Sequence, residues 1–348
     1  MNPLIVGWDI GGAHVKAAIL NYQTYTADIY QFPCPLWQGL NHLITAIQNI
    51  LSSYHHYSLI HFVTMTGELV DLFPNRMEGV KQIIAVLQAE LKQNTWCYAA
   101  EFGFISINQI QSQHYLAIAS MNWLASANWI AQHIDNGLFI DIGSTTTDIL
   151  LINQRKVEYI GKTDAQRLQS QELVYSGIGR TPIMAVSQQV FWQGQIHYLM
   201  AEYFATMADV YRLTGELNPC HDQAETADGG DKTKIASACR LARMLGKDFN
   251  HHEYDQWLII AKQLKYQQKN AIQQACLRQL SRFPNHSCLI GAGIGQFLVA
   301  QIAKELEFEY LSINQLISFQ SLSNTLTIAD IFPAFAVADL AYHSSFDK

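Results

Sequence analysis

The 348-residue sequence predicts an α/β protein built from two related lobes. Three observations lead there. Short apolar runs of strand length alternate with stretches of helical spacing. A strand, an acidic glycine turn and a second strand occur together twice, around Asp9-Ile10-Gly11 and around Asp141-Ile142-Gly143. A further glycine-rich turn, Gly291-Ala292-Gly293-Ile294-Gly295, follows a late apolar run and opens a helical stretch.

Each element follows from a local pattern. Residues 4–8 read as a buried strand, and residues 15–20 resume after Asp9-Ile10-Gly11-Gly12, which predicts a hairpin with a tight tip. Residues 40–51 carry apolar positions at helical spacing, 61–65 read as the next strand and 80–91 as another helix. The pattern restarts at Asn136-Gly137 with a strand over 138–140 and another over 149–152. Setting Trp8 on Ile140 places Asp9 on Asp141, Gly11 on Gly143 and residues 17–20 on 149–152. Residues 216–237 are polar, with Asn218-Pro219 and Asp228-Gly229-Gly230, and read as an exposed loop or lid. Helices are expected over 236–245 and from 253 to about 280. A strand is expected over 287–290, a helix from about 296, and a packed apolar helix over 333–342. The expected lobes are 1–136 with about 325–348, and 137–324 with an inserted helical and lid region over about 216–280.

Composition narrows the function classes. The hydrophobic fraction is 49% and the charged fraction 15%, enough to bury large cores. The formal net charge of -7 argues against nucleic acid or an anionic membrane as partner. The six cysteines include no C-x-x-C pair, so neither a zinc site nor a disulfide framework is indicated, and a reduced, cytoplasmic setting is expected. Asp9 interrupts any signal-like apolar core, and no apolar run is long enough to span a bilayer.

The turns suggest phosphate chemistry. A glycine turn after a strand exposes backbone N–H groups to phosphate oxygens, which gives Gly11, Gly12 and Gly143 a purpose. The hydroxyls of Ser144, Thr145 and Thr146 add donors, and His14 lies within the first turn. Asp9 and Asp141 would repel phosphate directly and make sense as holders of Mg²⁺ or its waters. Lys16 and Asp148 occupy matching repeat positions and are further candidates. Gly291 and Gly293 could hold a nucleotide's phosphates or ribose, although G-x-G-x-G is an imperfect dinucleotide fingerprint. Taken as ordinary hairpins, both turns would instead use Asp to cap backbone N–H groups.

In their order, D-I-G-G, D-I-G-S-T-T-T-D and G-A-G-I-G resemble the actin/Hsp70/sugar-kinase superfamily, in which two phosphate loops and an adenosine loop occupy these places. That resemblance implies ribonuclease H-like duplicated domains with a central cleft, and alone it would imply an ATP-dependent kinase or ATPase. Six longer segments narrow the family: T-G-E-L-V-D-L-F-P-N-R-M-E-G-V (66–80), F-I-D-I-G-S-T-T-T-D-I (139–149), E-L-V-Y-S-G-I-G-R-T-P (172–182), E-Y-F-A-T-M-A-D-V-Y-R-L-T-G (202–215), T-A-D-G-G-D (226–231) and R-L-A-R-M-L-G-K-D (240–248). Together they are similar to the tetrahydromethanopterin-linked C1-transfer pathway family, often labelled hydantoinase/oxoprolinase-like. Ile178-Gly179-Arg180 departs from that pattern by one extra residue before the arginine.

The resemblance implies a transferase of methanofuran- or methylofuran-type cofactor biosynthesis, in which a furan-methyl diphosphate alkylates a phenol oxygen and pyrophosphate leaves. A kinase or hydantoinase/oxoprolinase-type hydrolase is the alternative, and ATP is a cofactor only under it. The transferase reading gives Mg²⁺ as the candidate cofactor and assigns roles. Arg180 would clamp the diphosphate in a bidentate fork, with a surface ion pair as the other reading. Asp209 would deprotonate the phenol, or else cap or bridge helices. Glu68 and Arg76, with Asp71 and Asn75, would meet the amino-acid end of the acceptor or hold a loop. Asp228, with Asp231 and Lys232, would close as a lid. The expected partners are the small-molecule diphosphate and the phenolic acceptor, with a homodimer as candidate assembly.

Overall fold

The computed structural model of the chain describes residues 3–92, 94–283 and 288–346. The strands in chain order are β1 (Leu4–Ile10), β2 (His14–Asn21), β3 (Thr26–Pro33), β4 (Leu59–Met65), β5 (Thr95–Tyr98), β6 (Phe104–Ser106), β7 (Asn136–Ile142), β8 (Thr147–Asn153), β9 (Lys156–Glu158), β10 (Leu173–Val174), β11 (Gln189–Trp192), β12 (Gln195–Tyr198), β13 (Cys288–Ala292), β14 (Glu309–Ser312) and β15 (Gln320–Ser321). The helices are α1 (Asn41–Leu51), α2 (Arg76–Leu91), α3 (Tyr115–Ile118), α4 (Asn122–His133), α5 (Asp164–Ser170), α6 (Ile183–Val186), α7 (Met207–Thr214), α8 (Lys234–Met244), α9 (Tyr254–Leu280), α10 (Gln296–Glu305) and α11 (Phe332–Phe346). The start of the late strand expected at Ser287 lies outside the described residues.

The chain forms two compact units. The first comprises Met1–Asp135, Ile152–Glu158 and Ser312–Lys348, and the second Asn136–Leu151 and Tyr159–Leu311. In the first, the sheet runs β15-β3-β2-β1-β4-β5-β6. Strand β1 is antiparallel to β2 and parallel to β4. It is buried along its whole length, because both faces are covered. Val6, Trp8 and Ile10 point into a core shared with α1 and α2. Gly7 points the other way, onto α11: a Cβ there would lie 1.8 Å from the Ala334 carbonyl oxygen. A glycine inside an apolar strand marks this close approach.

In the second unit the sheet runs β10-β8-β7-β13-β14. Strand β7 is parallel to β13, and their core includes residues of α7, α8, α9 and α10. The strand ending in Asp-Ile-Gly holds the same place in both sheets, between its hairpin partner and a parallel strand from later in the sequence. That shared order is the structural form of the sequence repeat.

Residues 216–233 are mostly irregular and 228–235 are exposed, as expected of a loop, with two departures. They contain a short turn of helix at Pro219–His221, and Lys234 already begins α8, capped by the Thr233 hydroxyl. Their carboxylates are anchored by arginines, as described below.

Candidate functional site

In the first unit the turn after β1 closes by a hydrogen bond from the Gly11 N–H to the His14 carbonyl, 3.0 Å. A Cβ on Gly11 would come within 2.8 Å of that carbonyl oxygen, and one on Gly12 within 2.6 Å of Val70. The turn's carbonyls are occupied: Leu36 N–H donates to Gly12 O at 3.1 Å and Cys34 N–H to Ala13 O at 2.8 Å. Carbonyl oxygens repel an anion, so engaging them elsewhere suits a phosphate cradle. The Thr66 N–H donates to the Ile10 carbonyl at 2.9 Å, which ties the end of β4 to the turn.

Asp9 is buried, and Asn122 Nδ2 reaches its Oδ1 at 3.5 Å. Lys16 sits directly opposite Asp9 in the β1–β2 ladder, so the two share one face. His14 is buried. Glu68 is fully buried beside the turn, accepts 2.6 Å from Ser120 Oγ and lies 3.7 Å from Arg76 Nε. Asn75 caps α2 through the Glu78 N–H at 2.9 Å. Trp37, 40% exposed, follows the residue whose amide holds Gly12.

The second unit repeats the construction at the same sequence offset. Gly143 N–H donates to Thr146 O at 2.9 Å. The Gly143 carbonyl accepts from Ile178 N–H at 3.0 Å, and the Ser144 carbonyl accepts from Gly179 and Arg180 N–H at 3.0 and 2.8 Å. Gly177 packs so tightly here that a Cβ would lie 2.5 Å from Thr145 N. Gln268, buried within α9, donates to Ser176 Oγ and Gly177 O at 2.7 and 2.8 Å and accepts 2.6 Å from Tyr211 Oη. Gly295 N–H donates to the Ile142 carbonyl at 2.9 Å, the counterpart of Thr66 on Ile10. Ser144, Thr145 and Thr146 are half-buried. At Gly143 a Cβ would meet only Thr146 O, at an ordinary 3.5 Å, so packing among the described residues does not dictate that glycine.

The late glycines have packing duties of their own. Gly293 adopts a φ of +77° and leaves no room for a Cβ, which would fall 2.3 Å from Asp141 Oδ1. A Cβ on Gly291 would meet the Tyr310 ring at 2.9 Å, and one on Gly295 would meet Ile142 at 2.4 Å. This turn therefore braces the second Asp-Ile-Gly turn directly.

Several expected roles change on this geometry. Asp148 is paired with the buried Arg167 at 2.7 Å, which fixes it to α5. Asp209 is fully buried at the start of α7 and forms a capping box with Thr206. Its Oδ1 accepts from Arg212 at 2.7 Å, Arg240 at 2.8 Å and Ser237 at 2.9 Å. A carboxylate so placed is a helix cap and ion-pair centre, and its geometry opposes the phenol-base role. Asp228 is not on a free lid: it pairs with Arg240 at 3.0 Å and Arg243 at 2.7 Å. Partial burial pushes its carboxyl up, but Arg243, the Gly230 amide and Arg240 outweigh that and hold it well below the usual range. Asp222 completes the cluster through Arg212 at 2.5 Å and Lys232 at 3.7 Å.

Sequence reading missed the amides of residues 34–36 and 178–180 as partners of the turns. The first signal for the latter was present in Gly177, a glycine without a turn to explain it.

Matching Asp-Ile-Gly turns at the ends of two like-ordered sheets define a protein of the actin/Hsp70/sugar-kinase fold. An acetone carboxylase solved in its nucleotide-free form shares this fold, with a TM-score of 0.58, 11% identity, and coverage of 97% of this chain and 70% of that one. The chain belongs to the hydantoinase/oxoprolinase family, whose pattern matches residues 60–331. It is 28% identical to the (4-{4-[2-(gamma-L-glutamylamino)ethyl]phenoxymethyl}furan-2-yl)methanamine synthase of Methanocaldococcus jannaschii, over 98% of both chains. The synthase of the same name from Methanococcus vannielii is also 28% identical, over 54% of this chain and 86% of its own.

Proposed function

We propose that this protein is a transferase of methanofuran-type cofactor biosynthesis that alkylates a phenol oxygen with a furan-methyl diphosphate. The observation that carries the reading is the full-length likeness to the synthase of M. jannaschii, whose product name contains a phenoxymethyl-furan ether. Two glycine turns whose carbonyls at Gly12, Ala13, Gly143 and Ser144 are engaged by other amides support an anionic substrate.

In this reaction the phenol oxygen forms a bond to the furan-methyl carbon, the carbon–oxygen bond to the diphosphate breaks, and the phenolic proton passes to a base or water. Charge accumulates on the departing diphosphate, and fixed backbone dipoles aimed at it lower the barrier. Arg180 is the proposed clamp, because its own amide is fastened to the Ser144 carbonyl, so that its side chain starts beside the second turn. Lys16 and His14 are proposed anion donors at the first turn, and the hydroxyls of Ser144, Thr145 and Thr146 at the second. Arg76 is proposed for the acceptor's amino-acid end, with the buried Glu68 beside it as its positioning partner.

Among the described residues no three His, Cys, Asp or Glu side chains gather as a metal site. Mg²⁺ does not require such a cage, since it is commonly held by one or two carboxylates together with substrate phosphates and water. Asp9 and Asp141, each beside a cradle, fit that donor set. Mg²⁺ would supply neutralisation of diphosphate charge.

Trp37 is proposed as a wall for the furan, because the ring of a furan-methyl diphosphate is held within a bond or two of the phosphate. Among the described residues no helix is long and apolar enough to cross a membrane. All six cysteines are free, in keeping with the proposed cytoplasmic setting.

The test is pyrophosphate release by purified protein. Release should require furan-methyl diphosphate, the phenolic acceptor and Mg²⁺ together, and Asp9→Asn or Asp141→Asn should slow it about 100-fold. Phosphate release from ATP without transfer, or no release with all three components, would overturn the reading.

A further inference from the structure

The second turn is held by a strap of chain, residues 176–181, that carries Arg180. Its backbone is bonded on both sides. Ile178, Gly179 and Arg180 donate to the carbonyls of Gly143 and Ser144. The first amides of α7 donate to the strap in turn, Met207 to Thr181 O at 2.8 Å and Ala208 to Gly179 O at 3.2 Å. Thr147 Oγ1 donates to Ser176 O at 2.7 Å, and the Gly177 N–H to Thr181 Oγ1 at 2.8 Å.

Gln268 joins this strap from α9, 91 positions away from Gly177 in sequence. It is 1% exposed. A primary amide has an acceptor end and a donor end with two hydrogens. The acceptor end takes the O–H of Tyr211, which is fully buried on α7, at 2.6 Å. The donor end reaches Gly177 O at 2.8 Å and Ser176 Oγ at 2.7 Å. Leu264 and Ile272 flank Gln268 on the buried stripe of α9, so a leucine or methionine would fill this place without desolvating an amide. What the glutamine adds is direction. With the phenol hydrogen on Oε1, the amide N–H groups face the Gly177 carbonyl. Turned round, Oε1 would face that carbonyl and the two oxygens would repel.

We propose that Gln268, oriented by Tyr211, is a positioning residue for anion binding at the second turn. The inference rests on the reading of that turn as an anion site. Gly177 is the point of action, since a Cβ there would lie 2.5 Å from Thr145 N and 2.6 Å from Gly143 O. Packing this close transmits any movement of Gly177 to the turn. With the Gly177 carbonyl anchored, the strap keeps its amides on the Gly143 and Ser144 carbonyls, so those oxygens do not oppose an anion, and it keeps the Arg180 backbone in place. Dipoles fixed before the anion arrives need no reorganisation when it binds.

Calorimetric titration of the full chain with inorganic pyrophosphate and Mg²⁺ tests this. Gln268→Met and Tyr211→Phe should each weaken binding about tenfold. Because Tyr211 acts through Gln268, the double variant should bind no more weakly than Gln268→Met alone. Ile260→Val, a core change on the same helix, should lower the melting temperature and leave the affinity at the wild-type value. Tyr211→Phe keeps the ring that meets Phe297 edge-on at 5.5 Å, so it carries the test even if Gln268→Met does not fold. Wild-type affinity in Tyr211→Phe, effects that add in the double variant, or an equal loss in Ile260→Val overturns the inference and leaves the anion site standing. A wild-type chain that binds no pyrophosphate overturns both.

Discussion

Asp209 makes four hydrogen bonds and has no exposed surface, so its removal should be felt as stability before it is felt as rate. Asp209→Ala would leave Arg212 and Arg240 short of their shared carboxylate, and breaking such a buried pair costs about 3–5 kcal/mol. Denaturant unfolding should show that loss, while the milder Asp209→Asn should keep most of its turnover per folded molecule. An Asp209→Asn protein with wild-type stability and no turnover would instead make Asp209 the phenol base. His61 allows a second test. Burial lowers its pKa to about 4, and its Nδ1 accepts 3.1 Å from the indole N–H of the buried Trp8. Below an ordinary pKa of about 6.5 the unfolded chain takes up a proton that the folded chain refuses, so this stability is lost as pH falls toward 4. The difference between wild type and His61→Gln should change by about 3 kcal/mol across that window. A pH-independent difference would rule out the titration. At this scale the sequence was readable where a motif repeats, as at Asp9 and Asp141. For Asp209 it left phenol base and helix cap or bridge as alternatives, and it was silent on Arg240, because their pairing spans 31 positions and depends on α7 meeting α8.

The elements explain why the turns repeat so faithfully. In each unit an apolar strand parallel to the Asp-Ile-Gly strand ends by donating an amide to the same isoleucine carbonyl, Thr66 to Ile10 and Gly295 to Ile142. Period-two and helical patterns made β1, β2, β4, β7, α1, α9 and α11 legible, because burial of a strand or helix face leaves a periodic record. The cross-links between elements left no such record. Hydrogen bonds from residues 34–36 and 178–180 use backbone amides, which any sequence supplies. Gly177 is the exception, and it yields a prediction. A methyl there would lie within 2.5–2.6 Å of the backbone at Thr145, Gly143 and Ser144. Gly177→Ala should therefore displace the second turn and cost about 1–3 kcal/mol by overpacking. It should also raise KM for the diphosphate substrate, whereas Gly143→Ala, with its nearest contact at 3.5 Å, should leave unfolding unchanged. Equal melting of wild type and Gly177→Ala would show that the turn is looser than its contacts imply.

For the molecule as a whole, the order of the chain matters as much as its motifs. The first unit is completed only when residues 312–346 return to it after the second unit has been made. Helix α11 then packs on β1, β2, β4 and α4, and the Trp129 indole N–H reaches Asp339 at 2.7 Å while Tyr22 Oη donates to the same carboxylate at 2.6 Å. Phe332 and Phe335 meet the Trp129 ring edge-on at 5.4 and 5.7 Å. Burying Phe332, Phe335, Val337 and Leu340 contributes roughly 6–12 kcal/mol at about 1.5–3 kcal/mol each, an upper estimate for a compact unfolded chain. That is comparable to the whole stability of a typical domain, about 5–15 kcal/mol. Removing residues 332–346 would also expose Gly7, whose missing side chain makes room for Ala334 and Ala338 of that helix. The truncated protein should lose cooperative unfolding of the first unit and be cleaved by protease within residues 1–135, while a fragment covering 136–311 persists. Protection of residues 1–135 equal to that of the full chain would mean that the first sheet holds without its C-terminal helix.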